Sequence, residues 1–212
     1  MSHSIAMLPL LVLLAVPSRA AAAEPPAPEP ASRSGPALAL GLEYRHVWNK
    51  FYFYPNAYSE TVSNTIAISG DAGWHFPVGE RWWLGPGIGF SAGLGSADFW
   101  SSKQAGASYG ASAFRVEVFG EAGVDVNKEL AVVARLGYGA SFVSIDPAAD
   151  TLSAGLVAIG AQYKLSPRLS LLGLLQFSFG PDGSTDAGIT AYDPGLTDGS
   201  TTAVQVRLVY RP

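Results

Sequence analysis

The chain has 212 residues, of which 48% are hydrophobic and only 14% charged, with 24 Gly and a formal net charge of −4. So few charges and so much apolar content exclude a disordered tail or a coiled coil, and the mild acidity argues against nucleic acid as a partner. With no cysteine there is no disulfide framework, no thiolate metal site and no cysteine nucleophile.

Ile5 to Val16 form an apolar run of twelve residues, too short for a transmembrane helix, which needs about 20. Pro17-Ser18-Arg19 and then Ala20 to Ala23 follow, so a short apolar core ends in small residues. Residues 1–23 are therefore expected to be a secretory signal peptide, cut after Ala22 or Ala23. A buried N-terminal helix is the alternative, and only His3 supplies a basic group ahead of the run. Glu24 to Gly35 (EPPAPEPASRSG) holds four prolines and no apolar period. Residues 24–36 read as a stiff, extended periplasmic linker, and residues 37–212 as the folded domain. No later apolar run approaches the length of a membrane-spanning helix.

From Ala37 onward the period is two, the signature of strands. The first strand, Ala37–Trp48, sets Leu38, Leu40, Leu42, Tyr44, His46 and Trp48 against Ala37, Ala39, Gly41, Glu43, Arg45 and Val47. The second, Thr65–Phe76, sets Ile66, Ile68, Trp74 and Phe76 against a face carrying Asp71 and His75. Trp82–Gly95 alternates Leu84, Ile88, Phe90 and Leu94 with a glycine-rich face. Ala113–Asp125 alternates Phe114, Val116, Val118 and Val124 with Arg115, Glu117, Phe119, Glu121 and Asp125. Leu130–Phe142 places Arg135 among small residues on one face, with Leu136, Tyr138 and Phe142 on the other. Val157–Leu165, Leu169–Phe179 and Ala203–Arg211 complete eight strands; the seventh is the least regular, and the eighth places Arg207 on the charged face.

Connections alternate in length. Asn49–Ser63, Ser96–Ser108, Ser144–Leu152 and Gly180–Ser200 are the longer ones, while Pro77–Arg81, Val126–Glu129 and Ser166–Arg168 are short. A membrane barrel is strung this way, with short periplasmic turns and longer external loops, whereas a soluble sandwich has no reason to sort its connections. The faces agree. The charged face is otherwise Gly, Ala and Ser, which suits the narrow interior of an eight-stranded barrel. The face of large Leu, Ile, Val and Phe suits lipid, where a closed barrel pairs every backbone group.

Two aromatic belts are expected on the outward faces: Trp74, Phe76, Trp82, Tyr163 and Tyr210 near the short turns, and Tyr44, Trp48, Phe114, Phe142 and Phe179 near the long loops. Aromatic residues favour strands in general, but clustering at both ends of outward faces favours the belt. The fold expected is all-β, an eight-stranded antiparallel up-and-down transmembrane barrel.

On these features Ala37 to Pro212 resembles the small outer-membrane β-barrels of Gram-negative bacteria, the OmpA-like barrel domain, OmpX, Ail and opacity-protein type. The resemblance rests on pattern and implies an outer-membrane location, lipid and lipopolysaccharide as surroundings, and handling by the barrel-assembly machinery. Members commonly end in an aromatic residue that this machinery reads. Here Val204, Val206, Leu208 and Tyr210 keep the spacing, with Arg211 and Pro212 beyond.

The inward charges are Glu43, Asp71, Glu117, Glu121 and Asp125 against Arg45, Arg115, Arg135, Lys164, Arg207 and Arg211. Near balance in a narrow lumen suggests pairing, because unpaired buried charge is expensive. Glu43, Arg45, Asp71, Arg115, Glu117, Glu121, Arg135 and Arg207 are read as an interior ion-pair network; a gated ion path through the same groups and a catalytic carboxylate pair are the competing readings. His46 is expected outward beside Trp48, and His75 inward near a turn, neither in a triad. Gly85 to Gly89 (GPGIG) lies mid-strand with no helix after it, so it reads as room for Arg115, Glu117 and Phe119, not as a phosphate loop.

The external loops carry Glu60, Asp98, Asp146, Asp150, Asp182, Asp186, Asp193 and Asp198 against Lys50 and Lys103, with the aromatics Phe51 to Tyr54, Phe99, Trp100 and Tyr192. The acids are expected to be solvated, with loop calcium as the alternative although no complete calcium motif is present; the aromatics are expected to rest on the membrane surface, with an extracellular ligand anchored at these acidic, aromatic loops as the alternative. No cofactor, resident metal or catalytic group is expected. The functional expectation is a structural or surface-interaction barrel. A narrow channel for ions or small apolar solutes comes second, and a lipid-modifying enzyme third.

Overall fold

The computed structural model describes residues 34–53, 57–101, 104–145, 148–179, 183–185 and 198–212. The expected signal peptide and all but the last residues of the expected linker lie outside them. The described chain is all strand and turn: β1 Gly35–Phe53, β2 Ala57–Val78, β3 Trp82–Ser101, β4 Gln104–Asp125, β5 Leu130–Ile145, β6 Ala148–Lys164, β7 Leu169–Phe179, β8 Gly183–Thr185 and β9 Asp198–Tyr210. Each pairing is antiparallel between chain neighbours, β7 runs beside β9, and β9 closes onto β1. Eight strands form the wall, and the three-residue β8 adds to the free upper part of β6 at Asp150–Leu152.

The register gives the barrel its dimensions. Registered partners followed once round the wall run Leu38, Ala72, Ile88, Val118, Tyr138, Gly155, Phe179, Ser200, and return to β1 at Trp48, ten residues from the start. With about 3.4 Å per residue and about 4.8 Å between strands, that stagger over eight strands tilts them by about 40°. The outward side chains of β5 from Val132 to Phe142 then span a height of about 26 Å, close to the roughly 25 Å apolar band of membrane barrels.

Burial follows the alternation. Leu38, Leu40 and Leu42 are exposed on β1 while Ala37, Ala39, Glu43 and Arg45 are buried; β4 exposes Phe114, Val116 and Val118 and buries Arg115, Glu117, Phe119 and Glu121. The inversion is the point: the buried set is rich in charge and the exposed set is aliphatic and aromatic. Water would penalise such an exterior by about 25 cal/mol per Å² of apolar surface, and a hydrocarbon surrounding removes that penalty.

Three tight turns join strands at the end that also holds Gly35 and Tyr210. In the β2–β3 turn Gly79 has φ 81°, a left-handed conformation that an L side chain resists. In the β4–β5 turn the Asn127 side-chain oxygen accepts from the backbone N–H of Glu129 and of Leu130, both at 2.8 Å. In the β6–β7 turn the Ser166 hydroxyl accepts from the Leu169 N–H at 3.1 Å. Side chains thus cap backbone donors the ladder leaves over.

Strand boundaries differ from the sequence reading at the opposite end. Most of the expected loops Asn49–Ser63, Ser96–Ser108 and Ser144–Leu152 is ladder, because β1 and β2 pair out to Phe53 and Ala57, β3 and β4 to Ser101 and Gln104, and β5 and β6 to Ile145 and Ala148. The barrel wall therefore continues past the apolar band as tall hairpins. The physical reason is that backbone pairing needs no apolar face: where the residues stop alternating between apolar and polar the period-two signal fades while the hydrogen-bond ladder persists. β1 also opens at Gly35, two residues before the expected start, paired to His75. β8 lies within the expected loop Gly180–Ser200.

Candidate functional site

The inward faces assemble a continuous polar network in the lumen. Four carboxylates (Glu43, Asp71, Glu117, Glu121) and four guanidiniums (Arg45, Arg115, Arg135, Arg207) have side chains between 1% and 7% exposed. Charges this deeply buried persist only when matched in number and hydrogen-bonded.

At the short-turn end His75 on β2 lies against the indole of Trp83, ring centroids 4.2 Å apart. Its Nδ1 is 3.3 Å from Arg211 Nη2, which also donates to the Gln162 side-chain oxygen at 3.4 Å. A guanidinium only donates, so Nδ1 accepts, and Nε2 carries the hydrogen toward Glu121 Oε1 at 3.1 Å. Glu121 and Arg135 are registered partners on β4 and β5, and Arg135 Nε donates to Glu121 Oε2. Arg135 then reaches across the lumen, with Nη1 donating to Asp71 Oδ2 at 2.7 Å and its guanidinium 4.3 Å above the Phe119 ring. The same Asp71 oxygen accepts from Arg207 Nη1, and Arg207 Nε donates to Ser69 at 3.2 Å.

Higher up, Glu43 accepts from Arg45 Nε at 2.8 Å and from Gln205 Nε2 at 3.0 Å, and stands 4.0 Å from Arg207 Nη2. Arg45 Nη2 donates to Ser91 at 2.6 Å. Arg115 pairs with Glu117 at 3.1 Å and donates to Ser178 at 3.4 Å. With its carbonyl turned toward the guanidinium, Gln176 accepts from Arg115 Nη2 at 2.6 Å and Nη1 at 2.8 Å.

Small residues supply the room. A Cβ on Gly89 would stand 2.8 Å from Glu117 Cγ, one on Gly139 would stand 3.1 Å from Arg115 Nε, Gly87 faces the Phe119 ring, and a Cβ on Gly137 would stand 2.8 Å from Phe119 Cβ. Gly123 faces the indole of Trp83, which is 1% exposed. Gly123→Ala is expected to force that indole aside and to cost about 1–3 kcal/mol, as overpacking of a filled interior does, read as a lower urea unfolding midpoint. Gly120→Ala is the control, because Gly120 is exposed and its Cβ would meet nothing nearer than 3.9 Å. Ala37, Ala39, Trp83, Val133, Leu172, Leu174 and Val209 form an apolar plug beside the network.

All eight residues of the expected ion-pair network, out of eleven charges read as inward, have side chains buried in the lumen. Their pairs run across strands far apart in sequence, as with Asp71 between Arg135 and Arg207. Ser69, Ser91, Gln162, Gln176, Ser178 and Gln205 fall on the inward face in the sequence alternation but not in the expected network, which is built on charges alone; counting amides and hydroxyls with the charges brings them in. Asp125, Lys164 and Arg211 are half-buried at the short-turn mouth.

The expected belt residues Tyr44, Trp74, Phe76, Trp82, Phe114, Phe142, Tyr163, Phe179 and Tyr210 are all outward and exposed. Phe114 and Phe142 are registered partners with rings 6.3 Å apart, and Tyr163 donates to Glu129 at 2.9 Å. The Trp48 side chain lies outside the described residues. Phe90, Tyr138 and Phe177 are outward as well and were not counted in either belt. His46 is half-buried on the outward face, where its Nδ1 and the Tyr44 hydroxyl both meet the Asn64 side-chain oxygen, at 2.9 and 2.8 Å. Of the loop acids only the Asp98 side chain is described; the aromatics at 51–54, 99, 100 and 192 lie outside. Among the described residues no group of His, Asp and Glu is arranged to hold a metal ion.

Comparison with solved structures fits this geometry. The chain superposes on Neisserial surface protein A (NspA) with a TM-score of 0.55, at 9% identity over 83% of this chain and 99% of that one. The fold is that of the small eight-stranded outer-membrane barrels. The outer membrane protein OprG from Pseudomonas aeruginosa likewise gives a TM-score of 0.55, at 8% identity over 84% of this chain and 95% of that one. No protein-family model matches the chain, and no curated protein sequence does. At such identities what is shared is the barrel, and the lumen chemistry is read from this chain's own residues.

Proposed function

We propose that this protein is an outer-membrane barrel with a closed lumen, acting in a structural or surface-interaction role and carrying no catalytic centre. One observation carries the reading. The interior is occupied by mutually paired charges and an apolar plug at the short-turn end, while the exterior is an apolar girdle fit for lipid. The short turns, the start of β1 and the end of β9 then face the periplasm, and the tall hairpins rise outside. In this reading the surroundings are membrane lipid and lipopolysaccharide, the assembly machinery inserts the chain, and an extracellular ligand would meet the acidic, aromatic hairpin tips.

Planar-bilayer recording is the test. The purified protein is expected to insert without steady conductance steps. Steady steps that change in size when Arg135 or Glu121 is replaced would establish an ion path and overturn the closed lumen. Expression should leave lipid A masses unchanged; a new acylation state would make the barrel a lipid-modifying enzyme.

A further inference from the structure

We propose that the tall-hairpin end of the lumen is a binding site for a small monovalent anion, of chloride or bromide size, held between Arg45 and Arg115. A cavity of about 30 Å³ lies there, and its lining includes both arginines with the hydroxyl residues Thr65, Ser141, Ser178 and Thr201. That volume suits one ion or about two to three waters, on a scale where a water takes about 10–15 Å³. Among the described residues none that lines the cavity is acidic.

The donors and acceptors do not balance at this end. A guanidinium carries five N–H groups and no acceptor. Glu43 and Glu117 take some of them, along with Ser91, Ser178 and Gln176. Arg115 Nε and Thr65 Oγ1, on two residues that line the cavity, have no hydrogen-bond partner, and their residues are 3% and 4% exposed; Glu117 Oε1 is also without one, on a residue outside the lining. The first two groups donate, and a species that only accepts would satisfy them together. A halide fits that description: it carries no proton, it is attracted by two guanidiniums, and it takes hydrogen bonds from hydroxyls in any direction. A metal cation is repelled by the same pair of arginines. Gly139 contributes by lacking a side chain, since a Cβ there would stand 3.1 Å from Arg115 Nε and narrow the space. The site goes beyond the closed-lumen role, and its test needs no conductance.

The purified chain, folded in detergent, is titrated with sodium bromide at constant ionic strength. Sodium gluconate makes up the balance, its anion being many times larger than the cavity. The thermal unfolding midpoint is expected to rise with bromide and saturate. Thr65→Val keeps the shape and removes a donor, and should weaken the apparent bromide Kd about ten-fold, the worth of one charge-assisted hydrogen bond. Ser170→Ala, buried toward the short-turn end, should titrate as the parent does. Crystals grown in bromide should show an anomalous peak between the two guanidiniums. A midpoint that follows ionic strength alone, a Thr65→Val titration equal to the parent's, or a water without anomalous signal at that position each overturns the assignment.

Discussion

Replacing Arg135 by Ala is expected to destabilise the barrel more than any other single change in the lumen, by about 3–5 kcal/mol, the usual cost of removing one partner from a buried pair. The urea unfolding midpoint, followed by the fluorescence of the five tryptophans, reads the loss. Arg135 serves two carboxylates on opposite sides of the lumen, Glu121 beside it and Asp71 across from it, and it covers the Phe119 ring. Alanine leaves Glu121 with only His75 and Arg207 as the remaining partner of Asp71. Most of the cost is therefore the stranded negative charge. That dictates the sign of the coupling with Glu121→Ala. The double replacement removes the stranded group along with its partner, so it should cost less than the sum of the singles. If the two losses add within about 0.5 kcal/mol, the residues act independently and the pairing has no energetic content. Asp71→Asn should couple to Arg135 and to Arg207 alike, since one carboxylate oxygen serves both.

Leu136→Arg probes the other face one residue away. Leu136 is 67% exposed and registered between Gly120 and Val157, both outward. If that face lies in hydrocarbon, a guanidinium near the midplane costs about 2–4 kcal/mol, and one near an interface about 0–1 kcal/mol. Val126→Arg, exposed at a short turn, is the comparison. The expected result is a marked loss of folded, membrane-inserted protein for Leu136→Arg and little change for Val126→Arg, read as the heat-shifted fraction on an unboiled gel. Equal losses would mean the exterior carries no depth-dependent penalty, and the apolar girdle would then need a protein partner in place of lipid. The pair Arg135 and Leu136 thus gives the barrel a polarity test. Adjacent residues should respond in opposite senses to charge, one when it is removed and one when it is introduced.

The sequence by itself determined which residues face inward. Side chains alternate along a regular strand, so the placement of Glu43, Asp71, Glu121 and Arg135 among small neighbours, opposite Leu42, Ala72, Ala122 and Leu136, already assigns both faces. It also determined the strand count and the short turns, because Asn127 and Gly79 stand where tight turns need them. Where strands end at the tall hairpins was not legible, since pairing there continues on residues whose apolar and polar side chains no longer alternate. Which inward charges meet was legible for Glu121 and Arg135, whose strands share a short turn. It was not legible for the Asp71 junction. Arg207 reaches Asp71 only because β9 closes onto β1, and the ten-residue stagger sets the height at which the strands face one another. Closure and stagger are properties of the whole ring, so the hub of the lumen and the donor-rich cavity above it belong to the tertiary structure alone.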